Sequence, residues 1–112
     1  MSLKLEPLGA SLAQRLTQVA VSHYFSSAYE ETVEAAKQAI RLFPDFPPPR
    51  PYLAAALGQL DRTEEATAAL TQAVVIAAHW FDMYVRNRPP WWRPEDRLHI
   101  LDGLRKAGWR EA

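Results

Sequence analysis

An internal repeat constrains the fold of this 112-residue chain more than any other feature. The acidic pair Glu30-Glu31 returns as Glu64-Glu65, 34 residues further along. The segment from 35 to 42 then aligns without a gap on the segment from 69 to 76. A period of about 20 to 50 residues is typical of repeat proteins, in which each unit covers the apolar face of its neighbour. The repeat therefore predicts a stack of similar units.

Apolar residues recur at helical spacing within each unit. Val33, Ala36, Ile40 and Phe43 lie three or four residues apart, and no alternation with a period of two competes with them. Small residues stand where neighbouring helices must approach closely: Ala20, Ala39, Ala54, Ala66 and Ala73. We therefore expect an all-α fold, with helices at about 8 to 26, 29 to 43, 49 to 60, 63 to 79, 80 to 87 and 94 to 107.

Prolines indicate where the helices begin and end. Pro44 closes the first unit, and the prolines between 47 and 51 cannot all lie inside a helix because each lacks a backbone donor. The third helix is therefore expected to begin near Pro48 or Pro49, an interpretation favoured over an exposed P-x-x-P ligand. The predicted organisation is a chain start with the remnant of a preceding repeat at 1–11, units at 12–46 and 47–79, and C-terminal capping helices at 80–112.

These positions resemble the pattern of the tetratricopeptide repeat family. The matching residues are Ala20, Tyr29, Ala39 and Pro44 in the first unit and Ala54, Ala66 and Ala73 in the second. The resemblance implies a solenoid of two antiparallel helix pairs closed by the C-terminal helices. Ala78 replaces the closing proline of the second unit, so the last helix of that unit is expected to extend or bend directly into the next segment. Leu5-Glu6-Pro7 also resembles the end of a repeat.

The resemblance further implies a concave groove lined by the first helix of each unit. Position by position, the groove residues are Gln14, Thr17, Val21, Tyr24 and Phe25, with Ala55, Gly58 and Gln59 from the third helix. The residues that clamp a peptide carboxylate in some family members are not found at these positions. This favours an apolar or mixed protein or peptide partner, such as another domain of the same parent chain.

The closing stretch from 93 to 108 is similar to the region that follows such repeats in bacterial class III nucleotidyl cyclases and transcriptional regulators. The resemblance implies a non-catalytic interaction or regulatory module at the C-terminal end of a larger bacterial protein. The parent would be an adenylate or guanylate cyclase or a regulator, with its catalytic or DNA-binding part upstream.

The residue types give no sign of catalysis. The chain has no cysteine, which excludes thiolate chemistry, and its histidines, His23, His79 and His99, have no metal-ligand spacing. The acidic pairs lie in first helical turns, where they favour the helix dipole rather than acid-base chemistry. We expect no catalytic site, no cofactor and no metal.

Charge and hydropathy bear on nucleic-acid binding and on membrane insertion. The net charge is zero, although residues 86 to 112 hold seven basic against four acidic side chains. Contact between this basic tail and a nucleic acid is the third hypothesis, after protein binding and self-association, because nucleic-acid domains usually show a stronger excess. No apolar run approaches the roughly 20 residues that span a bilayer, so a cytoplasmic protein is expected.

Aromatic residues crowd near the C-terminal end and allow two interpretations. Trp80, Tyr84, Trp91 and Trp92 could form an interface between copies in a homodimer or self-association scaffold, or they could close the end of the stack. The capping interpretation predicts that the 94 to 107 helix packs on the 63 to 79 helix. Its apolar stripe would be Leu98, Leu101 and Leu104, with Trp91 or Trp92 wedged between the two helices.

Overall fold

A computed structural model describes residues 2–86 and 93–110 of the chain, with side chains from residue 11 onward apart from those of residues 84 and 86. All described elements are helical. The α-helices are α1 (Ser2–Phe25), α2 (Tyr29–Leu42), α3 (Pro49–Gln59), α4 (Thr63–Ile76), α5 (Ala78–Trp80) and α6 (Pro94–Lys106), and a π-helix spans Phe81–Arg86. The all-α fold is thereby confirmed, and the third helix begins where the prolines indicated.

The 34-residue period reappears in the backbone. Helices α2 and α4 have the same length and lie 34 positions apart. The turns before them are also equivalent, since Ser27 and Asp61 both adopt the left-handed conformation, with φ of 62° and 59°. In each turn the following N–H donates to the carbonyl five positions earlier, at 2.8 and 3.1 Å. These are Schellman-type helix ends, in which the turn satisfies carbonyls that the helix leaves free.

The helices pack in chain order, α1 on α2, α2 on α3 and α3 on α4. Three-residue turns join the packed helices of each pair, which gives two antiparallel hairpins. The five alanines predicted to set the helix spacing are all fully buried. A larger side chain at any of them would overpack the contact by about 1–3 kcal/mol.

Two helix ends differ from the expectation. Helix α1 begins at Ser2 rather than near residue 8, so Leu5-Glu6-Pro7 lies inside it and does not form a separate turn. Pro7 is the sixth residue of α1, beyond the first turn, so the helix lacks one internal hydrogen bond at this position. At the other end, α4 ends at Ile76 rather than near residue 79; Ala77 has φ and ψ of −110° and 33°, and the chain continues directly into α5. The missing closing proline thus coincides with a bend, as expected.

Helix α6 docks mainly on α3, and its contact with α4 is minor, so the predicted packing on the 63 to 79 helix was wrong. Small residues explain why α6 packs on α3 rather than on α4, because a Cβ on Gly103 would lie 2.7 Å from the carbonyl oxygen of Ala55. Such backbone contact is possible only where both helices lack bulk. The buried face of α6 also differs from the predicted apolar stripe, since Leu98 is 61% exposed while Leu101 and Leu104 are buried. The predicted tryptophan wedge, at residues 91 and 92, lies outside the described residues.

Candidate functional site

Helix α6 covers one half of the predicted groove. Tyr24 and Ala55 are fully buried beneath it, and Gly58 touches the backbone of Gly103 and Ala107. The Tyr24 hydroxyl donates to the backbone carbonyl of His99 at 2.6 Å. These three predicted groove residues therefore contact a helix of the same chain.

Tyr24 is held as a protonated donor. Burial raises the pKa of its hydroxyl well above the ordinary value, although a hydrogen bond from the Gln59 amide opposes this effect. The amide nitrogen lies 3.2 Å from the tyrosine oxygen. A neutral hydroxyl can donate a hydrogen bond, which fits the short contact with the carbonyl of His99.

Gln59, another predicted groove residue, also faces α6. Its amide nitrogen lies 3.2 Å from a carboxylate oxygen of Asp102, and its amide oxygen accepts from Lys106 at 3.0 Å. Asp102 and Lys106 in turn pair with each other at 3.3 Å, one helical turn apart. This polar rim fixes the register of α6 along α3.

The aromatic side chains at the end of α1 enclose His99. The rings of Tyr24 and His99 have centroids 4.6 Å apart, and Phe25 meets His99 edge-on at 5.7 Å. The hydroxyl of Tyr29 lies 2.7 Å from Nε2 of His99. Asp96, one turn earlier on α6, instead pairs with Arg93 at 3.3 Å. The structure thus gives His99 a packing role between α6 and the first hairpin.

The other half of the groove is open and forms a cleft of about 800 Å³. Helix α1 lines one side of this cleft with the remaining predicted groove residues Gln14, Thr17 and Val21. Tyr52 lies on α3 at the base, and the side opposite α1 carries Ile76, Trp80 and Met83. The predicted groove is therefore divided between a part that α6 covers and an open cleft.

Among the residues that the structure describes, the lining of the cleft contains no aspartate, glutamate, lysine or arginine. Its polar groups are the amides of Gln14 and Gln18, the imidazole of His79, the hydroxyls of Thr17 and Tyr52 and the indole N–H of Trp80. The Thr17 hydroxyl already donates to the carbonyl of Ala13 at 2.8 Å, within its own helix. An apolar hollow with a few neutral polar groups at its edge is typical of binding sites for uncharged or apolar ligands.

The loop that completes the cleft is held by a buried arginine that sequence reasoning did not single out. Arg50 donates to the carbonyl of Pro44 at 3.0 Å and to the side-chain oxygen of Gln72 at 2.9 Å. These bonds tie the loop between α2 and α3 to α4 and place Pro47 and Pro48 against the cleft. The arginine acts close to the C-terminal end of α2, where the helix dipole favours a positive charge.

Trp80, one of the predicted interface aromatics, is buried. It meets Tyr52 edge-on at 5.7 Å and Phe81 at 5.2 Å, and Phe81 stacks on Trp109 at 6.1 Å. The side chain of Tyr84 and residues 91 and 92 lie outside the described residues. Trp80, Phe81 and Trp109 therefore pack together and cover the end of the core.

Trp109 was not identified from the sequence, although a signal was present. Gly108 has a φ of 111°, and the N–H of Trp109 donates to the carbonyl of Leu104 at 2.9 Å. A glycine after a helix followed by an apolar residue is typical of a Schellman end, which turns that residue back onto the helix.

The remaining candidates stay on the surface. Glu30 and Glu65 are exposed and meet Arg62 at 3.6 and 2.6 Å. Within the described part of the chain, no three histidine or acidic side chains gather as a metal site would require. None of the described helices has the length and hydropathy that crossing a bilayer requires.

Comparison of the chain with protein-family models, with curated proteins and with solved structures gives no match.

Proposed function

We propose that this chain is a tetratricopeptide-like interaction module that binds a protein partner in the cleft between α1, α3 and α5. One observation carries the proposal: the cleft is the part of the predicted groove that the chain's own helix leaves open, and none of its described lining residues is charged. The 34-residue recurrence of helices and turns supports the solenoid assignment.

The chemistry of the cleft defines the partner. A charged side chain entering it would lose hydration without gaining a counter-ion, which is costly in an apolar site. An uncharged segment with aliphatic side chains would bury apolar surface at about 25 cal/mol per Å². Gln14 and Gln18 on the α1 side can hydrogen-bond the partner's backbone or polar side chains.

The function is binding, without catalysis. The polar groups of the cleft are two amides, two hydroxyls, an indole N–H and one imidazole, and the described lining holds no carboxylate beside His79 to form an acid-base pair. The resemblance of the closing stretch to the C-terminal region of bacterial cyclases and regulators supports a regulatory role in a larger parent protein. The partner segment would then belong to another domain of that parent or to a separate protein.

Selection from a library of displayed random peptides tests the proposal. Peptides that bind the parent chain should be uncharged and aliphatic, and binding should fall at least about tenfold in Ile76→Glu, which places a carboxylate at the cleft edge. Leu98→Glu is the matched control, because Leu98 is an exposed leucine on α6 that does not line the cleft. Peptides that bind Ile76→Glu as well as the parent, or a selection dominated by charged sequences, would contradict the proposal.

A further inference from the structure

The internal repeat shows which faces of the helices are normally covered. On α3, Leu53 packs against a cluster of Ala20 on α1 and Ala35 and Ala36 on α2, and Leu57, one turn further on, is buried. These contacts form the interface between the two hairpins. Subtracting 34 residues from Leu53 gives Val19 on α1.

The equivalent face of α1 has no covering helix among the described residues. Leu12 and Val19 are 40% and 45% exposed, and Leu16 between them is half-buried. With His23 these residues form the α1 stripe, defined by the positions 12, 16, 19 and 23 on one side of the helix. The stripe continues the α2–α3 interface by one repeat, so its expected cover is another helix that presents small side chains.

Helix α4 presents small side chains on the outside of the molecule, along a stripe that does not include Ala69 and Leu70, the counterparts of Ala35 and Ala36. Its exposed α4 stripe consists of Glu64, Ala68, Thr71 and Val75, and Val75 is 75% exposed. The hydroxyl of Thr71 donates to the carbonyl of Thr67 at 2.9 Å, so covering it leaves no donor unpaired. The equivalent positions of α2 carry only charged residues: Glu30, Glu34, Lys37 and Arg41.

The two stripes match when the helices run antiparallel. Leu12 then lies opposite Val75, Val19 opposite Ala68, and the imidazole of His23 opposite the carboxylate of Glu64. The leucine and valine side chains of the α1 stripe thus lie opposite apolar or small side chains of α4. At the remaining position, an imidazole lies opposite a carboxylate. The zero net charge of the chain gives no long-range repulsion between copies.

We propose that the α1 stripe of one copy docks antiparallel on the α4 stripe of a second copy. The contact joins two different surfaces, so each added copy leaves both kinds of stripe free at the ends. A single helix-on-helix contact is smaller than the roughly 800 Å² per partner of a stable complex. Association is therefore weak and grows with concentration.

Light scattering across concentrations from about 10 μM to about 1 mM tests this pairing, in a range suited to weak association. The average mass of the parent should rise from the 12.7 kDa of one chain to more than twice that value. Val19→Glu and Val75→Glu should each hold the mass near one chain, because each blocks one stripe. Both positions are exposed, so circular dichroism melts should show folded variants; Leu98→Glu is the control and should associate like the parent.

A mixture of the two blocked variants gives the sharpest result. Val19→Glu keeps its α4 stripe and Val75→Glu keeps its α1 stripe, so an equal mixture should form a dimer that grows no further. A parent chain that stays at one-chain mass throughout, a mixture without dimer, or a single variant that still associates like the parent would each overturn the proposal. Peptide binding by the cleft does not enter this measurement, so the two proposals fail separately.

Discussion

The two hairpins share the length of their second helix and the left-handed conformation in their turns, and they differ where each meets α6. Tyr24 and Gly58 occupy the same position, one residue before the last of α1 and of α3, and both contact α6. Tyr24 reaches α6 through a hydroxyl bond to the carbonyl of His99, whereas Gly58 lets the backbone of α6 touch that of α3. In the first hairpin a tyrosine side chain lies between α1 and α6. In the second hairpin the glycine has no side chain, so α6 lies close to α3. A repeat therefore fixes the backbone, and the exceptions within it determine where a non-repeating helix docks.

The glycine half of this comparison predicts the largest effect. A Cβ on Gly58 would meet the carbonyl oxygen of Gly103 and, at 2.9 Å, the backbone nitrogen of Ala107. Both are backbone atoms and cannot rotate away. We expect Gly58→Val to lower the free energy of unfolding by about 3 kcal/mol, at the upper end for overpacking, in denaturant melts.

Two further variants sharpen that measurement. Gly58→Ala should also destabilise, despite a helix-propensity gain of about 1 kcal/mol, because the first added carbon already clashes. Ala68→Val, at an exposed site of α4, measures the cost of a β-branched residue alone and should lose less than about 0.7 kcal/mol. If Gly58→Val melts within that margin, the close docking of α6 on α3 is wrong.

The tyrosine half predicts an intermediate effect. Tyr24→Phe removes the donor to the carbonyl of His99 and leaves that group and the Gln59 amide without this partner, which should cost about 1–2 kcal/mol. Tyr29→Phe is the matched control, because the Tyr29 hydroxyl also contacts His99, at 2.7 Å, but from a half-exposed position. It should cost less than half as much. Equal losses in chemical denaturation would show that Tyr24 has no special role.

The buried tyrosine also predicts a pH dependence. The pKa of Tyr24 is raised by burial, so the folded state keeps the proton while the unfolded chain loses it near the ordinary value of 10.0. The contribution of Tyr24 to the free energy of unfolding is therefore fully present below that pH and falls above it, by up to about 1.4 kcal/mol per pH unit. Melts of Tyr24→Phe and the parent between pH 8 and 11 should differ in slope only above about pH 10. A parallel decline in both would remove Tyr24 as the cause.

Most of the helices could be predicted from the sequence, but the docking site of α6 could not. Periodicity and prolines predicted the helices, because local spacing and missing donors act within a few residues. The docking site of α6 depends on Gly58 and Gly103, which are 45 positions apart in the sequence. Neither glycine has a local pattern that marks it as a contact. The groove residues were predicted from the resemblance, which carries no information about a helix that fills half of the groove.

The smallest predicted effect concerns the turns that the hairpins share. Ser27 and Asp61 both have positive φ, a conformation that aspartate adopts more readily than serine. Glycine removes the steric strain but adds freedom to the unfolded chain, so Ser27→Gly should stabilise the protein by at most about 1 kcal/mol. Asp61→Gly should change stability by less, since less strain is relieved. Ser26→Gly is the control in the same turn: it lacks a positive φ and should destabilise slightly. Thermal melts in which Ser27→Gly falls below the parent, or in which Ser26→Gly gains as much, would show that the two turns do not carry the strain that their backbone angles indicate.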